Sequence, residues 1–344
     1  MHPREDELTH SSSPAAGLTE QIVEYMRDAY GIHARHVALV PGRLHADAAA
    51  YRVDSDGESY FLKLTPEPPE RGLTLAHYVA DAGITAVPAP LPMREGQLAG
   101  RVGTLSATLY PFVEGENGFQ RPLTEGQWRA LGGAVRAVHA VELPSAIREG
   151  VRTETYSDVF RRKVRDYLAL TRQQLKGDAV AGDLMALLSD RHDEITALVD
   201  HAVGLAESLQ RRALPLVPCH GDLHAGNVLV GNTSAVFIVD WDAPVLAPRE
   251  RDLMFIGAGI GGVWNRPDEA AAFYGGYGAM SVDAEAVAYY RCERIVEDVT
   301  VFCDQILGGA QDDGIVRAIL LEKLAAAFAP NDVVEMAERT VAAL

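Results

Sequence analysis

The stretch Cys219-His220-Gly221-Asp222-Leu223-His224-Ala225-Gly226-Asn227-Val228-Leu229-Val230, with Phe237-Ile238-Val239-Asp240-Trp241-Asp242 behind it, decides how this chain is read. Three chemistries compete for it. His220, Asp222 and His224 carry imidazole and carboxylate donors of the kind that bind zinc. No histidine follows His224, however, to complete a three-ligand set at the usual spacing. A tight turn between strands accounts for each Asp, Asn and Gly singly, because these residues satisfy turn geometry on their own, but it does not account for the set. The third reading is phosphoryl transfer. H-x-D, an Asn five residues on, and an apolar strand ending in Asp240, 18 residues after Asp222, have the spacing of a kinase catalytic loop and its metal-binding carboxylate. In that reading Asp222 accepts or orients the acceptor hydroxyl's proton, Asn227 reaches one Mg²⁺, and Asp240 bridges metal to phosphates.

Such chemistry needs a cation on the nucleotide phosphates, carried on a strand. The chain has four lysines, Lys63, Lys163, Lys176 and Lys323, and only Lys63 precedes residue 113. It lies in the alternating run Ser59 to Leu64, with Tyr60, Leu62 and Leu64 on one face and Phe61 and Lys63 on the other. A carboxylate from the following helix is expected to orient it; Glu67 and Glu70 are available, and Glu70 is taken. The loop covering the phosphates is expected at Pro41 to Asp47, with Gly42 as its single glycine. Neither G-x-G-x-x-G nor G-x-x-x-x-G-K-[ST] occurs there, so protein kinases and P-loop enzymes fit poorly.

Outward from these residues the chain divides in two. A tail is expected over 1–17, before an amphipathic run at Leu18, Ile22, Val23 and Met26. Strands are expected at Val37 to Val40, Ala50 to Val53, Ser59 to Leu64, Leu98 to Gly100 and Thr104 to Pro111. Asp54 to Gly57 makes a hairpin turn, and a helix is expected over Leu73 to Ala82, stopped by Gly83. From Thr124, which forms a capping box with Gln127, the pattern turns helical. We therefore expect a nucleotide-binding lobe over 18–113 and a catalytic and substrate-binding lobe over 114–344.

Composition sets the limits. The 344 residues are 48% hydrophobic and 23% charged, enough for a sizeable core and unlike a disordered or fibrous chain. A formal net charge of −17 repels phosphate backbones and anionic lipid and attracts cations, which counts against nucleic-acid and membrane-surface roles. Three cysteines without framework spacing suit a reducing compartment, and no apolar run approaches the ~20 residues of a membrane span. A cytoplasmic location is expected.

At these residues the chain resembles the aminoglycoside phosphotransferase family, and within it the spectinomycin-modifying subgroup. Beyond the loop, the likeness rests on Tyr110-Pro111-Phe112-Val113, Asn117-Gly118-Phe119, Leu246 through Gly257, Val263-Trp264-Asn265 and Arg294-Ile295-Val296-Glu297-Asp298, and spans roughly Leu18 to Glu338. It implies an α+β, bilobal protein-kinase-like fold with a small antiparallel-sheet N-lobe and a mainly helical C-lobe. It also implies ATP and Mg²⁺ as cofactors, Asp222 as base, Asn227 and Asp240 as metal ligands, Lys63 on the phosphates, and the backbone of Tyr110 to Phe112 as the adenine hinge. His220 becomes a loop-shaping residue and Asp252 a buried anchor beneath the loop. The Gly-poor loop at Gly42 departs from the subgroup.

The resemblance implies a small cationic aminocyclitol as acceptor, and an acidic protein supplies a steering field for it. In Val282 to Ile306, Ala288, Cys292, Ile295, Val299, Phe302 and Ile306 share one helix face, while Tyr290, Glu293, Glu297 and Asp304 share the opposite one. A solvated acidic face is the plainer reading of that row. Asp242, Trp264, Tyr290, Glu293 and Glu297 are taken as substrate residues. A kinase of another aminoglycoside, of choline or of a methylthioribose-like metabolite is the nearest alternative. A nucleotide-binding regulator without turnover is the next, and the intact catalytic set argues against it.

Overall fold

The computed structural model describes residues 16–40, 48–172, 178–231, 233–308 and 314–344. The expected loop at Gly42 and nearly all of the expected tail lie outside these residues. The chain divides into two compact units, one formed by the described residues of Met1–Glu114 together with Val239–Ala243, the other by those of Gly115–Ile238 and Pro244–Leu344. The return of five residues to the first unit is absent from a reading with one boundary.

In the first unit, α1 (Ala16–Tyr25) runs into a π turn at Met26–Tyr30. Five strands follow: β1 (His36–Leu39), β2 (Ala49–Asp54), β3 (Ser59–Thr65), β4 (Gly100–Val102) and β5 (Leu105–Pro111), with α2 (Glu70–Asp81) between β3 and β4. They form one antiparallel sheet in the order β1-β2-β3-β5-β4. The period-2 alternation puts Tyr51, Val53, Leu62, Leu64, Ala107 and Leu109 in one apolar cluster with Ile22 and Met26 of the N-terminal helical segment. Lys63 therefore falls on the other face, paired across the sheet with Ala50 and Thr108. The strand expected at Leu98 to Gly100 begins only at Gly100, because the two-residue turn Gly103-Thr104 sets the β4–β5 register at Val102↔Leu105. Helix α2 starts three residues earlier than its apolar pattern, directly after Pro68 and Pro69.

In the second unit, α3 (Glu125–His139) carries the expected capping box. The Gln127 amide donates to Thr124 Oγ1, and the Thr124 amide donates to Gln127 Oε1 at 3.0 Å. The helices α4 (Ser145–Gly150), α5 (Val159–Leu170), α6 (Ala179–Asp190) and α7 (His192–Gln210) precede a set of short strands. Two three-stranded sheets flank the loop at 220–227: β6 (Glu116–Asn117) with β9 (Val228–Val230) and β10 (Val236–Ile238), and β7 (Arg152–Thr153) with β8 (Val217–Cys219) and β11 (Val245–Ala247). Then come α8 (Glu250–Leu253), α9 (Pro267–Tyr277), α10 (Ala284–Gly308), α11 (Gly314–Ala326) and α12 (Val333–Ala342).

Helix α10 is the axis of this unit, with α5, α6, α7, α8, α11 and α12 packed around it. The predicted apolar face is there: Cys292, Ile295, Val299 and Ile306 are buried in one cluster with Val164, Leu184 and Leu198. The opposite face is covered by neighbours at Tyr290 and Glu293, which are buried, while Glu297 is partly exposed and Asp304 exposed. Helices α3 and α9 meet through glycines; a Cβ on Gly132 would stand 2.1 Å from the carbonyl oxygen of Phe273. Gly132→Ala is therefore expected to lower stability by roughly 1–3 kcal/mol through overpacking, read as an earlier urea midpoint at unchanged m-value.

Candidate active site

The loop that dominates the sequence runs from β8 through a 3₁₀ turn at Ala225–Asn227 into β9. Its backbone is held from below. Asp252, 1% exposed, accepts from the His220 amide at 2.9 Å and the Gly221 amide at 2.8 Å, and Arg251 Nε donates to the Gly221 carbonyl at 2.9 Å. Gly221 sits at φ 87, where a side chain is strained. His139 Nε2 lies 3.0 Å from Asp252, and its Nδ1 lies 2.7 Å from the Tyr277 hydroxyl. Burial works to raise the Asp252 carboxyl, but His139, His220 and the Gly221 amide hold it below its ordinary range.

His139, Cys219 and Asp252 also form a buried group of metal-ligand types. Its donors are committed to this clamp, and burial keeps the Cys219 thiol well above its ordinary pKa, hence protonated. The zinc reading of the loop fails on similar grounds. His220 Nδ1 accepts the Asp222 amide at 3.2 Å and His224 Nδ1 accepts the Gly226 amide at 2.9 Å, so each ring has one nitrogen tied to its own loop.

Within this frame the Asp222 side chain is about a third exposed. Its Oδ1 accepts from Arg294 Nη1, and its Oδ2 lies 3.6 Å from His224 Nε2. Because His224 Nδ1 is an acceptor, the proton of the neutral ring is on Nε2, facing Asp222. Burial raises the Asp222 carboxyl, yet Arg294, His224 and His220 outweigh it and leave the carboxyl below its ordinary value. Asn227, 8% exposed, donates through Nδ2 to the Asp222 carbonyl at 2.9 Å, which turns its amide oxygen away from that bond.

In the first unit, Lys63 is 5% exposed. Its Nζ donates to Asp240 Oδ1 at 2.7 Å and to Asp242 Oδ2. Asp240 stands at φ 69, a conformation non-glycine residues rarely adopt. The segment is pressed against α2 at Gly72, where a Cβ would stand 1.8 Å from the Trp241 carbonyl oxygen. The carboxylates on Lys63 are thus those of Asp240 and Asp242; Glu70 opens α2 on an exposed face. At 110–112, Tyr110 pairs opposite Phe61, the β5 pairing ends with Pro111 opposite Tyr60, and the Phe112 amide donates to the Ser59 carbonyl at 3.0 Å. That amide is already used.

Three residues expected at the substrate have protein partners or are buried. Asp242 lies on Lys63. Trp264 is 3% exposed and stacks edge-on against Trp128 at 5.0 Å. Tyr290 is 0% exposed, so neither aromatic offers a face to a sugar here. Glu293 is buried with Arg161 Nη1 at 3.6 Å, while Glu297 is partly exposed and 3.5 Å from Arg251 Nη2. The acidic row missed its arginines: Arg294 bridges Asp222 and Asp298, and Arg251 spans Gly221 and Glu297. An arginine set among Glu293, Glu297 and Asp298 was the available signal.

With this geometry in hand, a model of the phosphotransferase enzyme family matches residues 38–290. The chain belongs to that family. It is 37% identical to a spectinomycin phosphotransferase solved in complex with ADP and spectinomycin, over 94% of this chain and 98% of that one, at a TM-score of 0.88. An AMP-bound spectinomycin phosphotransferase is 36% identical over 93% and 98% of the two chains, at a TM-score of 0.84. Protein StrN of Streptomyces griseus is 32% identical over 181 residues, which is 51% of this chain and 55% of StrN, so the match spans about half of that relative. The phosphotransferase has the α+β protein-kinase-like fold, and no helix among its described residues is long and apolar enough to cross a membrane.

Two outcomes follow for the clamp and the acidic row. Asp252→Ala strands the His220 and Gly221 amides and His139, and is expected to cost about 3–5 kcal/mol, measured by denaturant unfolding. Burial pushes the Glu293 carboxyl from its ordinary 4.5 up to about 7 against the pull of Arg161, with Glu154 and Glu297 adding. Between those values the folded state binds more protons than the unfolded, so stability falls as pH rises through the window. Glu293→Gln should therefore raise Tm more at pH 8 than at pH 5, with an upper limit of about 3 kcal/mol.

Proposed function

We propose that this phosphotransferase transfers the γ-phosphoryl group of ATP to a hydroxyl of spectinomycin and thereby confers resistance to it. The observation that carries this is the 37% identity over 94% of the chain to a spectinomycin phosphotransferase solved with ADP and spectinomycin. Added phosphate puts negative charge on a cationic drug and spoils its fit to an anionic RNA target.

Asp222 orients the acceptor hydroxyl and takes its proton. Its depressed pKa keeps it ionised near neutrality and makes it a weak base. That suffices, because a loose phosphoryl-transfer transition state needs an oriented nucleophile more than a stripped one. Lys63 neutralises charge on the nucleotide phosphates, and Asp240 and Asp242 hold its ammonium on the strand. Asp240 in the first unit and the Asn227 amide oxygen in the second each offer a hard oxygen donor of the kind Mg²⁺ selects. Held by such donors, Mg²⁺ would screen the negative charge of the phosphates. Backbone of the Tyr110 to Phe112 hinge takes the adenine, with the Phe112 amide excluded by its bond to Ser59.

On the acceptor side, Glu297 of α10 is partly exposed and lies 3.5 Å from Arg251, which itself holds the Gly221 carbonyl, so it is the carboxylate we assign to an ammonium group. The exposed Phe119 ring, 5.9 Å from His224, supplies an apolar surface at the loop. We place the enzyme in the cytoplasm.

The test is Mg²⁺-dependent ADP release with spectinomycin, several aminoglycosides and choline, with product mass checked for one phosphoryl group. Spectinomycin is expected to be the preferred acceptor. Asp222→Asn is expected to lower kcat by about 10²–10⁴-fold. Turnover of another acceptor alone discards the substrate, and an unchanged rate in Asp222→Asn discards the base.

A further inference from the structure

Arg294 of α10 is held on three sides. Its Nε donates to Asp298 Oδ1 at 2.9 Å, one helical turn further on. Its guanidinium carbon lies 5.5 Å from the centre of the Phe255 ring, and its Nη1 donates to Asp222 Oδ1. The side chain is 18% exposed and the Phe255 side is buried. A surface ion pair is commonly worth little, because two long side chains lose entropy to meet in water. This one differs: the helix and an aromatic face restrain the arginine before it reaches Asp222.

We propose that Arg294 is the positioning residue for Asp222, fixing one carboxylate oxygen so that the other is presented to the acceptor hydroxyl. The inference rests on the phosphotransfer reading above. The remaining charged groups around the pair are consistent with that division of work. Arg251, from α8, is engaged by the Gly221 carbonyl and Glu297. His224 lies on the Oδ2 side of Asp222 at 3.6 Å, the side left for the acceptor, and His220 is occupied by the Asp222 amide. Arg294 alone among these bridges Asp222 to a second carboxylate. A planar guanidinium fork can do so through Nε and Nη1 at a fixed angle, whereas an ammonium is a single point charge on a flexible stem. Asp298 then acts on Asp222 through the arginine, setting the fork's rotation.

The experiment compares the intact enzyme with Arg294→Ala, Arg294→Lys and Asp298→Asn, recording kcat, KM for ATP, KM for spectinomycin and Tm. Misorienting a reacting group by about 1 Å costs on the order of 10²-fold. Arg294→Ala is expected to lose about that much kcat with KM for ATP within about twofold, and added guanidinium should restore part of the rate. Arg294→Lys keeps the charge and should still lose about 10-fold, with Asp298→Asn between it and the wild type. These two variants carry the test if the alanine variant does not fold.

Normal kcat in Arg294→Ala overturns the assignment, as does normal kcat in both Arg294→Lys and Asp298→Asn. A loss carried entirely by KM for ATP, without guanidinium rescue, also overturns it. An active wild type with unaffected variants removes this assignment alone. A wild type inactive on every acceptor removes the phosphotransfer reading and this one with it.

Discussion

Two backbone amides, at His220 and Gly221, converge on the buried carboxylate of Asp252, and the functional loop depends on that convergence. The loop does not pair these two amides itself, because Gly221 is left-handed and the chain is turning away from β8. Buried donors without partners cost free energy comparable to a lost hydrogen bond. Asp252 supplies the acceptors, His139, itself bonded to the Tyr277 hydroxyl, holds Asp252, and Arg251 takes the Gly221 carbonyl. With the backbone spoken for, the carboxylate of Asp222 and the amide oxygen of Asn227 are available for the roles proposed for them.

The same economy of partners shapes the electrostatics of α10. Glu293 and Asp298 are carboxylates that burial pushes up, to about 7 and about 6, even with Arg161 and Arg294 beside them. Asp222 goes the other way, since Arg294, His224 and His220 together overcome its desolvation. One helix therefore supplies carboxylates that are costly to ionise and an arginine that keeps Asp222 ionised. Acids buried at the expense of stability commonly mark functional ground, and here they cluster beside the residue proposed as base.

In the first unit the organising device is the strand period. One face of the sheet is closed by Ile22 and Met26, so the other is free to carry Lys63. A buried ammonium persists only if paired, and Val239–Ala243 supplies both partners by returning to this unit. The close approach at Gly72 and the unusual backbone of Asp240 are the local consequences of bringing that segment in.

Much of this was legible in the sequence. Residue spacing alone grouped Asp222, Asn227 and Asp240, scarcity of lysine singled out Lys63, and alternation and capping foretold β2, β3, β5 and α3, because all of these are local patterns with fixed geometric periods. The partners of Lys63, the burial of Trp264, Tyr290 and Glu293, and the hold of Arg294 on Asp222 were not legible. Each depends on which elements pack against which. A helix row such as Tyr290, Glu293 and Glu297 reads the same whether it faces water or a neighbour. Sequence determined which residue types stand at catalytic spacing; tertiary packing alone decided which of the many carboxylates and arginines are desolvated together, and the charge state and orientation of Asp222 follow from that desolvation.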